Sequence, residues 1–351
     1  MPPICRPLRA LFTLLAAAAG LAAQPMPAQM REVLTREYQM PASDLDRAEK
    51  GHAVARMVPT ESRDDVRMAG VIRIHVSADE FMRAYRRIEE FEASPEVIQT
   101  GRFSTPPVLA DIANYQLPGF DAAELKDCRP GNCSYKLPAW LMEDLHARID
   151  WAAPDAEARA KSLIRQHWIA YLHRYQQQGD SALAVYYDTP APYSLADGLR
   201  SVMSASKALW DQLPDLATYV ENYPRLKPAG TDDFFYWQEA AFGLKHVLRC
   251  QHVIIRKLPN PDGPHYAIVS KMLFATHYFR AAIEFKYVYP VRTPSGQPAI
   301  YLMVCQRSYV DGMTGVRGMI LRKIAESRSP AKLKDNLELA RKRLERAHRA
   351  N

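Results

Sequence analysis

The run YAIVSKMLFATHYFRAAIEFKYVY, residues 266–289, decides the fold. It is rich in β-branched and aromatic residues and is too long for one strand. It therefore predicts two strands, folded back around His277, Tyr278, Phe279 and Arg280. Similar runs lie on either side, at 246–258 and 299–310. The loops between them, PNPDGP at 259–264 and TPSGQP at 293–298, are strong turn signals. Connections this short fit antiparallel pairing better than helical crossovers, so the sheet is expected to be antiparallel.

Upstream, Val71, Ile72, Ile74 and Val76 make a strand. Ser77 then caps a helix, with Glu80 completing a capping box. Phe81, Tyr85 and Ile88 give that helix one apolar face, and 97–103 returns as a second short strand. Residues 111–223 read as mostly helical. Pro138 opens one helix, and a longer one runs from Pro154 to Gly179, the usual order of proline at the start and glycine after the end. Residues 182–187 suit a brief strand, Ser194 caps another helix, and Pro214 starts one more. Asp232 and Asp233, before Phe234 to Trp237, read as a helix cap. Residues 24–65 are polar, with four prolines, and predict an exposed, extended segment holding at most one short helix.

The chain closes on a helical region. Val316, Met319, Ile320 and Ile324 are apolar, Pro330 interrupts, and Leu333, Leu337, Ala340 and Leu344 form a stripe at helical spacing. The expected fold class is α+β: a curved antiparallel sheet with a long C-terminal helix, in one domain over 66–351 that carries a helical insertion at about 111–230.

The first residues indicate where the protein works. Arg6 and Arg9 precede an apolar run at 11–19 and the small residues 20–23, the order of a secretory signal. A spanning helix needs about 20 apolar residues, more than this run supplies. Cleavage near Ala22 or Ala23 is expected, and an uncleaved anchor is the alternative. A periplasmic or secreted location follows, which excludes nucleic acid and cytosolic cofactors as partners. No cofactor is expected.

The net charge of +7 is localised. Residues 317–349 hold eleven Lys and Arg against four Asp and Glu, or +7, and the rest is balanced at 35 against 35. A basic end on an exported protein points to an anionic membrane surface, with a plain solvated helix face as the alternative. Cys128-Arg-Pro-Gly-Asn-Cys133 centres a turn on Pro130 and Gly131, which brings the two cysteines together and predicts a disulfide. Cys250 and Cys305 lie in apolar runs and read as buried thiols.

The order of elements resembles the helix-grip fold of the START and Bet v 1-like superfamily. It covers 66–103 and 234–344, with no signature motif. That resemblance implies a last helix lying across a curved sheet around an apolar cavity, and the binding of lipids or other greasy ligands. Segments 272–284 and 304–311 also resemble those of uncharacterised exported bacterial proteins. The sheet runs would line such a cavity with Ile268, Met272, Phe274, Tyr278, Phe285, Tyr287, Tyr301 and Met303, or fill a solid core with them.

Reaction motifs are few. G-x-S-x-G and H-E-x-x-H do not occur, and Ser204-Ala-Ser-Lys207 matches S-x-x-K without its supporting elements. No metal site is expected. The most suggestive polar cluster is Lys271, His277, Tyr278, Arg280 and Glu284, with Arg307 and Asp311 near the last strand's end. It reads either as a ligand head-group site, with His277 as a candidate general base, or as an Arg280–Glu284 ion pair. Three functions are compatible with the chain. The first is an exported protein that binds or carries a lipid-like hydrophobic ligand. The others are an envelope enzyme (hydrolase or cyclase type) acting on such a substrate, and a non-enzymatic envelope scaffold.

Overall fold

The structure is a computed structural model that describes residues 24–350, apart from 116, 118, 212, 242–244, 260–262 and 312–314; the side chains of 315–328 fall outside the description. The signal-like opening therefore lies beyond it, as do the side chains of Val316, Met319, Ile320 and Ile324.

The chain begins with α1 (Ala28–Arg36) and α2 (Ala42–Glu49), followed by β1 (Val54–Val58) and β2 (Asp65–Ile74). This corrects the reading of 24–65 as an exposed, extended segment. Met30, Leu34, Tyr38 and Leu45 are all buried, so the two short helices pack into the core. Strand β1 joins β2 antiparallel, from Val54↔Val71 to Val58↔Arg67.

Next come α3 (Ala78–Tyr85), α4 (Ile88–Phe91) and β3 (Val97–Phe103). The capping box expected at Ser77 is present. The Glu80 N–H donates to Ser77 Oγ at 3.2 Å, and the Ser77 N–H donates to Glu80 Oε2 at 2.7 Å. Hydrogen bonds from Ser77, opposed by partial burial, hold the Glu80 carboxyl down at about 2. A lowered carboxyl contributes stability above its ordinary value near 4.5 and loses it as the pH falls towards 2. Ser77→Ala should therefore cost about 1 kcal/mol at pH 7. Urea unfolding at pH 7 and near pH 2 should show that difference shrinking with acidification.

The insertion supplies α5 (Ala122–Asp127), α6 (Ala139–Arg148), α7 (Ala156–Gln178), a small hairpin of β4 (Val185–Tyr186) and β5 (Tyr193–Ser194), then α8 (Leu195–Ala205), α9 (Lys207–Trp210) and α10 (Pro214–Asn222). The Cys128–Cys133 disulfide closes its turn, with Gly131 at φ +89° and the Cα atoms 4.3 Å apart. Cys250 and Cys305 are buried free thiols, pushed up to about 12 by burial.

Five long strands follow: β6 (Thr231–Ala241), β7 (His246–Lys257), β8 (Tyr266–Ala275), β9 (Phe279–Arg292) and β10 (Pro298–Val310). The run at 266–289 does fold back at 276–278, where Tyr278 takes a left-handed φ of +60°. Asp232 and Asp233 lie within β6, which corrects their reading as a helix cap. Phe234 and Tyr236 face one side of the sheet while Phe235 and Trp237 face the other.

The eight strands form one antiparallel sheet in the order β1-β2-β10-β9-β8-β7-β6-β3. It is covered on both faces. Helices α1, α2 and α5–α10 pack on one. On the other lie α3 and α4, together with α11 (Gly315–Ala350), which runs unbroken through Pro330 where an interruption was expected. Leu333 and Leu337 of α11 rest on Gly70 of β2, so close that a Cβ there would meet Leu337 at 2.8 Å. The result is α+β, with the insertion on one side of the sheet and the C-terminal helix on the other.

Candidate functional site

Side chains alternate across a strand, so register fixes what each face of the sheet presents. On the face that carries α11, the positions nearest α3 are apolar. They are Ile300 and Leu302 of β10, Val288 of β9, Ile268 of β8, Val253 of β7 and Tyr236 of β6.

One step further along the same strands the face turns polar. Val304 gives way to Gln306, Val288 to Lys286 and Glu284, Ile268 to Ser270, Val253 to Gln251 and Arg249, and Tyr236 to Gln238. Register makes this a contiguous patch, because Glu284 is paired with both Gln306 and Ser270, and Gln238 with Arg249. Gln238, Ser270 and Lys286 are buried, and the Glu284 side chain is 22 % exposed. Lys286 forms an ion pair with Glu284, the Gln306 amide donates to the same carboxylate, and Arg249 donates to Gln238 Oε1 at 2.5 Å. Gln238 Nε2 is buried and lacks a partner of full hydrogen-bonding geometry among the described residues, though it lies close enough to Glu92 to favour that carboxylate.

Two carboxyls in this patch are driven apart. Burial raises Glu92, at the end of α4, and the neighbouring Glu284 adds to that rise against the pull of Lys286. Burial also opposes ionisation of Glu284, but Lys286, Gln306 and Arg249 outweigh it and hold the carboxyl low. The two neighbouring carboxyls are thus shifted in opposite directions, Glu92 up and Glu284 down.

Of the residues read from sequence, only Glu284 belongs to this patch. The cluster expected around the β8–β9 bend is dispersed over several places. Lys271 points to the opposite face, fully buried, where it pairs with Asp180 and donates to the Val220 carbonyl at 3.0 Å. Its cross-strand neighbour His252 shares a hydrogen bond between Nδ1 and Tyr175 Oη at 3.1 Å and stacks on Phe235 with ring centres 4.4 Å apart. Asp233 lies nearby, held by Tyr219 at 2.6 Å and Lys227 at 2.8 Å. This group ties α7 and α10 to the sheet.

Arg280 pairs with Asp64 and Asp311 and lies over the Tyr193 ring, so the expected Arg280–Glu284 pair does not form. Asp311 also pairs with the buried Lys136. Arg307 takes Asp65 in a two-pronged contact at 3.1 and 2.5 Å and reaches the Ala205 carbonyl. These contacts close the rim of the sheet against the insertion.

His277 and Tyr278 sit in the bend. Tyr278 Oη accepts from the Lys245 N–H at 2.9 Å, and the His277 ring lies 4.9 Å from Tyr135. Burial and the charge of Lys245 push His277 down to about 4, so its ring is neutral at pH 7. A lowered histidine favours folding above its ordinary value of 6.5 and loses that contribution as the pH falls towards 4. Over that window His277→Gln should flatten the decline in wild-type stability, a difference on the order of 2 kcal/mol by chemical denaturation.

The residues expected to line an apolar cavity mostly fill the core beneath the insertion. Phe285 meets Trp210 edge-on at 4.6 Å, and Tyr287 Oη donates to the Leu209 carbonyl at 2.8 Å. Ile268 faces the other way, towards α3. Among the described residues no group of three or more His, Cys, Asp or Glu is placed to hold a metal ion. No family model, curated protein or solved structure matches the chain.

Proposed function

We propose that the protein binds a lipid-like amphiphile on the sheet face that carries α11, with the head group at Glu284, Lys286, Gln238 and Gln306, next to the layer of Val288, Ile268 and Val304 that packs into the core with α3. The observation that carries this reading is the change of that face from apolar to polar within one layer of side chains. Charges are costly to bury, and well-packed apolar residues in their place are often as stable or more so, so a ligand-binding role for this patch is a reading that burial energetics allow. The C-terminal helix lies on the same face, against β1 and β2. The Cys128–Cys133 disulfide is compatible with an extracellular location, and no helix among the described residues is long and apolar enough to cross a membrane. With the signal-like opening, these features support a periplasmic or secreted carrier.

Solvent extraction of the purified protein followed by mass spectrometry tests the reading. The expected result is one co-purifying amphiphile class in near-stoichiometric amount. Recovery of none, together with no uptake of fatty acid or phospholipid from vesicles, would count against it.

A second reading is an enzyme acting on the same ligand through Glu92 and Glu284, neighbouring carboxyls that their surroundings shift in opposite directions. Hydrolysis of an acyl ester that falls more than about tenfold in both Glu92→Gln and Glu284→Gln would favour it. Binding without turnover would leave the carrier.

A further inference from the structure

We infer that the outward face of α11 is a docking surface for an anionic lipid bilayer. Leu333, Leu337 and Leu344 bury one side of this helix. Lys342, Arg346 and Arg349 follow one another at spacings of four and three on the side away from those leucines, and all three are exposed.

Other basic residues of the helix are engaged in the fold. Lys332 pairs with Glu96, and Arg341 pairs with Glu338 and donates to the Gly51 carbonyl at 2.7 Å. Arg343 donates to the carbonyls of Glu90 and Ala93 at the end of α4. Among the described residues Lys334, Lys342 and Arg346 have no ion-pair partner, and Arg349 donates to the Glu345 carbonyl one turn back, at 3.2 Å. The nearest acids are already used: Glu345 accepts from the His75 N–H and Glu338 from the Ala53 N–H. Asp335 is exposed two turns earlier.

Residues 329–350 carry seven Lys and Arg against three Asp and Glu, a surplus of +4. Lys342, Arg346 and Arg349, with Arg341 and Glu345, surround an open dent of about 430 Å³. The three outward cations span about 10 Å along the helix axis. That array suits several phosphates presented side by side on a flat surface, and charge complementarity selects an anionic membrane. The inference does not depend on the ligand reading, since the face would dock whether or not the sheet holds an amphiphile.

Flotation with phosphatidylglycerol–phosphatidylcholine vesicles tests it, with pure phosphatidylcholine as the comparison. The full chain should float with the anionic vesicles at low salt and stay behind with the neutral ones. Combining Lys342→Gln, Arg346→Gln and Arg349→Gln should weaken partitioning about 100-fold. Combining Arg148→Gln, Arg159→Gln and Arg200→Gln on the insertion should change it less than about threefold. Equal binding to neutral vesicles, no binding to either, or the same loss in both triple variants would overturn the inference. Extraction of the same preparations reports on the amphiphile separately.

Discussion

Lys286→Met is expected to cost about 3 kcal/mol of stability at pH 7, because it leaves the Glu284 carboxylate largely buried without its counter-ion. The loss comes from the stranded charge more than from the missing attraction, and two further measurements separate these causes. Adding Glu284→Gln should bring stability back to within about 1 kcal/mol of wild type, since the neutral amide still offers Gln306 an acceptor. Lowering the pH should also shrink the deficit of the single variant. Without Lys286, burial raises the Glu284 carboxyl, and protonation then removes the uncompensated charge. Urea unfolding of the three proteins at pH 7 and pH 5 gives all of these comparisons. Equal stability of wild type and Lys286→Met at pH 7 would show that the pair is solvated instead of buried.

Gly179→Ala should be about as damaging, at roughly 4 kcal/mol, for a different reason. Gly179 ends α7 with φ +62° and ψ −140°, a conformation that side chains strongly disfavour. A Cβ there would overlap the backbone carbonyl oxygen of Tyr223, which cannot swing aside as a side chain could. Tyr223 packs against His252 with ring centres 4.4 Å apart, and Asp180, the next residue, holds Lys271. The substitution would therefore strain the contacts that tie α7 and α10 to the sheet. Denaturant midpoints measure the cost, and a loss under about 1 kcal/mol would contradict this close approach.

Much of this architecture can be read from local sequence. The capping box at Ser77, the paired cysteines about Pro130 and Gly131, and the fold-back near His277 are short-range signals, and each corresponds to a feature of the structure. The misread segments lacked such a signal. Strand β6 buries Phe234 and Tyr236 on one face and Phe235 and Trp237 on the other, so it shows no alternation. Residues 24–65 are polar on average, which obscures the buried Met30, Val33 and Leu34 of α1 and Leu45 and Ala48 of α2.

The candidate site was less legible because it is assembled by register. Glu284 meets Gln306 across a separation of 22 residues, and Arg249 meets Gln238 across 11. One signal was present in β9, where polar Arg280, Glu284 and Lys286 share one parity and apolar Ala281, Ile283, Phe285 and Tyr287 the other. That alternation separates Glu284 and Lys286 from Lys271 and places them on a single face of the sheet.

The most direct test of the head-group site is native mass spectrometry of the wild type and of the Lys286→Met, Glu284→Gln double variant, which is expected to stay folded. The wild type should carry the added mass of one amphiphile, and the double variant should be largely bare. A bare wild type, or a double variant loaded to the same extent, would contradict the account.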